Sequence, residues 1–364
     1  MPPITTYVSP NHDLYTGSVR LEGEITRGTT NPSRLRRVDR WITQAERSVL
    51  VSRARPLVVD LGFGASPVTT LELYRRVRQV APSAEVIGLE IDPERVACAR
   101  GRLAELRDAG HPLPGLSFEA GGFELPVSRR PAVVRAFNVL RQYSEEQAWT
   151  AWRRLQAGLA PGGVLVEGTC DEIGRRAVWV TLPAAGGTDS RPGHGRPQPG
   201  GAALVTFSAR LASLERPSDL AERLPKVLIH RNRPGEPVHQ FLRDWDRAWD
   251  RCAPYSVFGP RQRWLAAVAL VRADWPVLDR PPHGGQRRWR LGEVTLPWKA
   301  LAPPSHDLPP GPRWPSRPAR RRHLWWPSVP RSASALLGRV EPRESSQVFE
   351  ACRREGGRDQ RDGL

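Results

Sequence analysis

The chain has 364 residues and a formal net charge of +17 at pH 7, a length sufficient for one large core and a smaller appendage. Its longest apolar stretch, residues 264–271, is too short to cross a bilayer, and no apolar leader opens the sequence, so we expect a soluble cytoplasmic protein. The four cysteines lack metal-ligand spacing, which argues against a metal site or a disulfide-stapled fold.

The first predicted element is an amphipathic helix near the N-terminus. Leu35, Val38, Trp41 and Ile42 recur at helical spacing and share one face. We therefore expect residues 1–50 to form an N-terminal arm and a cap helix.

Residues 58–67 predict a buried strand followed by a glycine turn and a helix start. The strand carries Asp60 near its end, and Gly62 and Gly64 permit backbone angles and close ligand approach that a Cβ atom would block. A nicotinamide dinucleotide fingerprint requires a third glycine where this chain has Pro67. The dehydrogenase interpretation therefore fails at this position.

Two further strands are predicted at residues 85–90 and 116–120. The first ends in Glu90, whose carboxylate can accept hydrogen bonds from two vicinal ribose hydroxyls. The second ends at Gly122 and Phe123. Asp92, just after Glu90, is expected to cap the next helix.

A fourth strand, residues 132–138, ends at Asn138, at the strand edge where open α/β sheets bind ligands. Ser144 and Gln147 have the spacing of a capping box for the following helix. A Pro-Gly-Gly turn at residues 161–163 then leads into a fifth strand.

These five motifs, in this order over Leu57 to Glu167, resemble those of the class I S-adenosylmethionine-dependent methyltransferases. The family's acid-x-Gly-x-Gly-x-Gly motif matches Asp60, Gly62 and Gly64, and Ser66 stands in place of its third glycine. The resemblance implies an α/β fold: a doubly wound Rossmann-like sheet with helices on both faces, an N-terminal helical cap and a disordered C-terminal tail.

The resemblance also implies an enzyme that uses S-adenosyl-L-methionine and moves its methyl group to an unidentified acceptor by direct displacement. Asn138 either faces the transferred methyl as a catalytic residue or is a strand-end turn residue, and Phe123 either contacts adenine or fills the core. Val139 and Leu140 after Asn138 argue against methylation of nucleobase amino groups. The implied cofactor-binding residues are Asp60, Gly62, Gly64, Glu90, Gly122, Phe123 and Asn138.

Other polar residues are weaker candidates for the same site. Proteins similar to this one often cover the methionine end of the cofactor with an N-terminal helix. The candidate contacts in this chain are Thr29, Thr30, Arg34 and Arg37, and the alternative is that the two arginines belong to a solvated surface. A general base for the acceptor could be any of four side chains, each with a packing or surface role as its alternative: His230, His239, Asp171 and Glu172.

Beyond the fifth strand the pattern predicts two strands, 177–182 and 203–208, separated by a Gly- and Pro-rich loop near residues 186–201. Two helices follow, and a last strand is expected within residues 289–296. We place the methyltransferase domain at residues 51–303.

Residues 304–364 form a tail rich in proline, arginine and tryptophan, which predicts disorder. Its arginines and tryptophans could bind nucleic acid, which leaves a non-catalytic nucleic-acid-binding protein with a relic Rossmann-like fold as the alternative function. Only Lys226 and Lys299 of the 55 basic residues are lysines, so an arginine-rich coding bias explains the charge equally well.

Overall fold

The computed structural model describes residues 21–25, 28, 30–185 and 203–302. Within them, one eight-stranded sheet has the order β3-β2-β1-β4-β5-β6-β7-β8. Its strands are β1 (Leu57–Leu61), β2 (Glu85–Glu90), β3 (Leu116–Ala120), β4 (Val133–Phe137), β5 (Val164–Cys170), β6 (Arg176–Pro183), β7 (Leu204–Ala209) and β8 (Glu293–Pro297).

Strands β1 to β5 are parallel, and β5 to β8 pair antiparallel as a meander. Chain order runs outward from β1 to β3 and then reverses, so β4 returns to the other side of β1. That reversal opens a crevice beyond the carboxyl ends of β1 and β4, which is where doubly wound sheets bind their ligands.

Helices cover both faces of the sheet. They are α1 (Arg36–Gln44), α2 (Arg47–Val51), α3 (Val68–Val80), α4 (Pro93–Asp108), α5 (Glu145–Gly158), α6 (Lys226–Ile229), α7 (Pro237–Arg251), α8 (Pro260–Val271), α9 (Gln286–Trp289) and α10 (Trp298–Leu301). Short 3-10 helices include Leu140–Gln142 and Pro217–Arg223.

The sheet separates two apolar clusters, and β1 contributes to both because successive side chains of a strand point to opposite faces. Leu57, Val59 and Leu61 pack with α5, α7 and α8, whereas Val58 packs with α1, α3 and α4. All five residues of β1 are buried. Burial on both faces explains why this strand is apolar apart from Asp60.

The predicted doubly wound α/β sheet with helices on both faces is confirmed. Asp92 caps α4 by accepting from the amides of Glu94 and Arg95, and Ser144 and Gln147 form the predicted capping box of α5. The last strand was placed too early, because residues 286–289 form α9 and β8 begins only at Glu293.

The loop predicted near residues 186–201 and the tail predicted to bind nucleic acid, residues 304–364, lie outside the described residues. The domain limits at residues 50 and 303 stay predictions. None of the described helices combines the length and apolar character needed to cross a bilayer.

Candidate functional site

The glycine loop after β1 has the conformation that its sequence requires. Gly62 has φ +70° and Gly64 has φ +79°, values that side chains with a Cβ rarely adopt. A Cβ on Gly62 would lie 2.7 Å from Val139 Cγ2, and one on Gly64 would lie 2.8 Å from Thr30 Oγ1. Glycine is therefore required here both for backbone angle and for space.

Glu90 ties this loop to the end of β2. Its Oε2 accepts a hydrogen bond from the amide of Gly64 at 2.8 Å, and its Oε1 accepts from the amide of Ile91 at 3.0 Å. Arg95 Nη1 lies 3.8 Å from Oε2. Each carboxylate oxygen has more than one acceptor direction, so Glu90 keeps capacity for a ligand's hydroxyl groups while it holds the loop.

Asp60 is part of a buried ion network. The parallel register pairs Asp60 on β1 with Arg135 on β4. Arg135 donates from Nε to Asp60 Oδ1 at 2.9 Å and from Nη2 to Asp60 Oδ2 at 2.5 Å, and Thr70 Oγ1 donates to the same Oδ2 at 2.6 Å. A second carboxylate, that of Asp39 on α1, accepts from Arg135 Nη1.

Full burial shifts the pKa values of Arg135 and Asp39 in this network. Burial by itself would lower the pKa of Arg135, but the negative charges of Asp60 and Asp39 outweigh it and raise that pKa. Burial raises the pKa of Asp39 to about 6 against the opposing effect of Arg135. Asp60 therefore lines the crevice with a carboxylate already neutralised by a fixed cation, and the prediction that it contacts the cofactor directly stays a prediction.

The larger cavity at the crevice has a volume of about 510 Å³. It extends from the glycine loop to Asn138 and the end of β5, and Asp60 forms part of its wall. Cavities of about 300–1,000 Å³ are typical of small-molecule sites. The crevice that the topology predicts is thus also large enough for a ligand.

Asn138 lies at the wall of this cavity with φ +61°, a left-handed conformation that asparagine tolerates better than most residues. Its Oδ1 accepts from the amide of Cys170 at 2.9 Å, and its Nδ2 donates to Cys170 Sγ at 3.3 Å. Asn138 therefore joins β4 to β5 as a turn residue while also facing the cavity, and its catalytic role stays a prediction.

A smaller cavity of about 20 Å³ lies on the other side of the glycine loop, between Glu90, Gly122 and Phe123. Leu61 and Gly62 line both cavities. Residues 21–25, which we call the strap, close the smaller one. The two cavities are therefore neighbours that share the first residues of the glycine loop.

The strap is held by hydrogen bonds along its length. The carbonyl of Glu22 accepts from the amide of Phe123 at 2.9 Å, and the amide of Glu22 donates to Glu124 Oε2 at 2.8 Å. The amide of Glu24 donates to the hydroxyl of Tyr143. A Cβ on Gly122 would lie 2.0 Å from the Glu22 carbonyl oxygen, so this glycine is needed for the strap to pass.

Phe123 is both packed and close to the smaller cavity. It is 9% exposed and meets the ring of Tyr143 edge-on with centroids 5.4 Å apart. Burial raises the pKa of Tyr143 to about 12, so its hydroxyl is neutral. In this conformation the strap occupies the face of Gly122 and Phe123 that was predicted to contact adenine, and that contact stays a prediction.

The arm between the strap and α1 reaches the larger cavity through Thr30 and Arg34. Thr30 Oγ1 donates to the carbonyl of Phe63 at 3.1 Å, and Arg34 Nε donates to the carbonyl of Asp171 at 2.9 Å. Arg37 instead donates to the carbonyls of Gly174 and Leu291, away from the glycine loop. Thr29 lies outside the described residues.

The candidates for a general base differ in where they lie relative to the larger cavity. Glu172 is exposed and lines the larger cavity. Asp171 accepts from the amides of Arg175 and Arg176, which closes the β5–β6 turn. His239 Nδ1 lies 3.3 Å from Asn232 Oδ1, in the segment that leads into α7. His230 is exposed at the C-terminal end of α6. Of these four, Glu172 is the one that lines the larger cavity, and its role as a base stays a prediction.

Several residues of the site have no counterpart among the sequence predictions. Arg135 could have been noticed, because it interrupts the otherwise apolar strand Val133–Phe137. Arg141 and Arg223 both line the larger cavity but come from distant 3-10 helices. The strap carries no periodic pattern that marks it as part of a site.

No protein-family model matches the chain, and no curated protein matches it. Most of the solved structures found to be similar to it are named as methyltransferases. Magnesium protoporphyrin IX methyltransferase from Synechocystis, with bound SAH, shows 19% identity and a TM-score of 0.28, over 37% of this chain and 54% of that one. Human N-acetylserotonin methyltransferase, in complex with SAM, shows 20% identity and a TM-score of 0.25, over 39% of each chain.

The CMeT domain of the citrinin polyketide synthase shows 16% identity and a TM-score of 0.27, over 33% of this chain and 30% of that one. The chain thus spans from under a third to about half of these three proteins. The neighbours agree with the family resemblance predicted from the motifs. At these scores they carry no argument about activity, which rests on the geometry of the site.

Proposed function

We propose that this protein is an S-adenosylmethionine-dependent methyltransferase whose methyl acceptor binds in the larger cavity. The observation that carries the proposal is the arrangement of the two cavities, which meet at Leu61 and Gly62. Glu90 lies beside one of them and Asn138 beside the other. A ligand with a ribose at one end and a reactive group at the other fits that arrangement.

The residues present fit the two halves of the cofactor differently. The cavity of about 510 Å³ has room for the methionine half and an acceptor. The smaller cavity, about 20 Å³, can hold a water molecule, which needs roughly 10–15 Å³, but not a purine. Adenosine therefore requires the strap to leave the face of Gly122 and Phe123.

The chain's own residues would then bind the cofactor and orient it. The glycine loop offers close backbone approach, Glu90 accepts from ribose hydroxyls, and the ring of Phe123 lies against the base once the strap has moved. When bound, S-adenosylmethionine supplies an electrophilic methyl group on its sulfonium. Holding an acceptor in line with that group can contribute up to about 7–11 kcal/mol of the rate enhancement.

Covalent catalysis is not needed in this arrangement. Burial raises the pKa of Cys170, which keeps the thiol at the cavity wall neutral and weakly nucleophilic. Glu172 at the cavity rim is placed to take a proton from a hydroxyl or amine acceptor. The reaction we propose is a single displacement with Glu172 as the base.

Calorimetric titration of the full chain with S-adenosylhomocysteine tests the proposal. Glu90→Ala removes two charge-assisted hydrogen bonds of about 1.5–3 kcal/mol each and should weaken binding at least ~100-fold. Glu94→Ala, at an exposed position in the first turn of α4, is the matched control and should bind like the wild type. Thermal melting of each variant verifies folding. Folded wild-type protein that binds no S-adenosylhomocysteine, or a Glu90→Ala variant with unchanged affinity, would refute the proposal.

A further inference from the structure

The larger cavity is lined by more basic than acidic side chains. Arg141, from the 3-10 helix after β4, and Arg223, from the 3-10 helix Pro217–Arg223, both line it. Arg141 Nη1 donates to the carbonyl of Glu222 at 3.1 Å, which brings the two arginines to adjacent positions. Two guanidinium groups therefore face one cavity from different parts of the chain.

Nearby carboxylates neutralise this pair only in part. Glu222 lies 3.5 Å from Arg223 Nη2, but its exposed carboxylate also lies 3.6 Å from Arg176. Asp60, on the cavity wall, already forms an ion pair with Arg135. The remaining acid of the wall, Glu172, is exposed. Fewer negative charges than guanidinium groups are thus available near Arg141 and Arg223.

The two arginines are only partly satisfied by the partners they have. Arg223 Nε is buried and has no hydrogen-bond partner among the described residues. Burial, and then the positive charge of Arg223, lower the pKa of Arg141. An anion placed between the guanidinium groups would offset their mutual repulsion. Guanidinium groups bind carboxylates and phosphates with two parallel hydrogen bonds, so both anions fit.

Part of the cavity wall is apolar. Leu35, Phe63 and Phe137 line it, each less than 9% exposed. From this juxtaposition we infer that the methyl acceptor is an organic anion, with a carboxylate or phosphate group bound by Arg141 and Arg223 and an apolar body against Phe137 and Leu35. The inference rests on the proposed function and adds the acceptor's chemical class.

The test uses the full chain saturated with S-adenosylhomocysteine and three small probes: benzoate, phenyl phosphate and neutral benzamide. We expect at least one anion to bind tenfold or more tightly than benzamide in calorimetry, and the stronger of the two identifies the anionic group. The double variant Arg141→Gln/Arg223→Gln should lose that preference and keep its affinity for S-adenosylhomocysteine. Arg153→Gln, an exposed arginine on α5 that donates to Thr150, is the matched control and should change neither.

Four outcomes would overturn the inference. If benzamide binds as tightly as both anions, charge does not select the ligand. If the double variant keeps its affinity for the anion, these arginines are not the site. A tenfold loss of S-adenosylhomocysteine affinity in the double variant would assign the arginines to the cofactor's own carboxylate. Wild-type protein that binds no S-adenosylhomocysteine removes the proposed function, and this inference with it.

Discussion

Replacing Arg135 by methionine should destabilise the protein strongly. The guanidinium group is fully buried and donates to both oxygens of Asp60, to Asp39 and to the carbonyl of Thr69. Its removal leaves two carboxylates in the core without their cation. Hydrogen bonds to charged groups contribute about 1.5–3 kcal/mol each, but the folded protein no longer bears the desolvation of Arg135. We therefore expect a net loss of about 3–5 kcal/mol of unfolding free energy.

The loss of unfolding free energy in the Arg135→Met variant should depend on pH in a defined direction. The pKa of Asp39 is already raised to about 6, so the folded state holds this proton more tightly than the unfolded chain does. Without Arg135 the pKa of Asp39 should rise further. The stability gap between variant and wild type should then widen as pH increases above about 6, where Asp39 of the folded wild type loses its proton and Asp39 of the folded variant keeps it, and should stay constant below that pH.

Urea unfolding followed by tryptophan fluorescence measures both effects. Because a single substitution of this size can prevent folding, the triple variant Asp39→Asn/Asp60→Asn/Arg135→Met serves as the second measurement, and it should recover most of the lost stability. Arg153→Met, at an exposed position, should lose less than about 0.5 kcal/mol. An Arg135→Met variant within about 1 kcal/mol of the wild type at all pH values, or a triple variant no better than the single one, would refute the argument.

Three further substitutions test other parts of the structure. Burial raises the pKa of Glu167 to about 8, so its contribution to the unfolding free energy should fall as pH rises from about 4.5 to about 8. Because the contribution of Asp39 is complete near pH 6, Glu167→Gln should flatten the profile between about pH 6 and 8 in urea titrations, and an unchanged profile in the variant would contradict it. Glu124→Ala removes the carboxylate that accepts from the strap and should speed S-adenosylhomocysteine association several-fold in stopped-flow fluorescence, whereas equal rates would show that the strap does not limit entry. Asn138→Gly should be more stable than Asn138→Ala by about 1 kcal/mol in thermal unfolding, because only alanine is strained at φ +61°; the reverse order would disprove the strain.

The sequence alone determined the parallel half of the sheet and the place of the candidate site. Apolar runs bounded by caps and turns mark β1 to β5, and the glycine loop and Glu90 follow from local backbone and hydrogen-bonding requirements. The start of β8 was missed because periodicity alone does not separate a short helix from a strand at residues 286–297.

The tertiary structure decided which side chains surround the site. Arg135 marks itself in the sequence as a charge within an apolar strand, but its partner Asp60 follows only from the register between β1 and β4, which are not consecutive strands. Arg141 and Arg223 face one cavity because the fold brings two distant 3-10 helices together.

The strap depends even more on long-range contacts. It has no helical or strand periodicity, and it is held to Phe123, Glu124 and Tyr143 by hydrogen bonds between residues about a hundred positions apart. Local propensities reach only a few residues along the chain, whereas these contacts are set by which elements the fold places side by side. The sequence therefore determined where a ligand can bind, and the tertiary structure decided which charges surround it and what covers it.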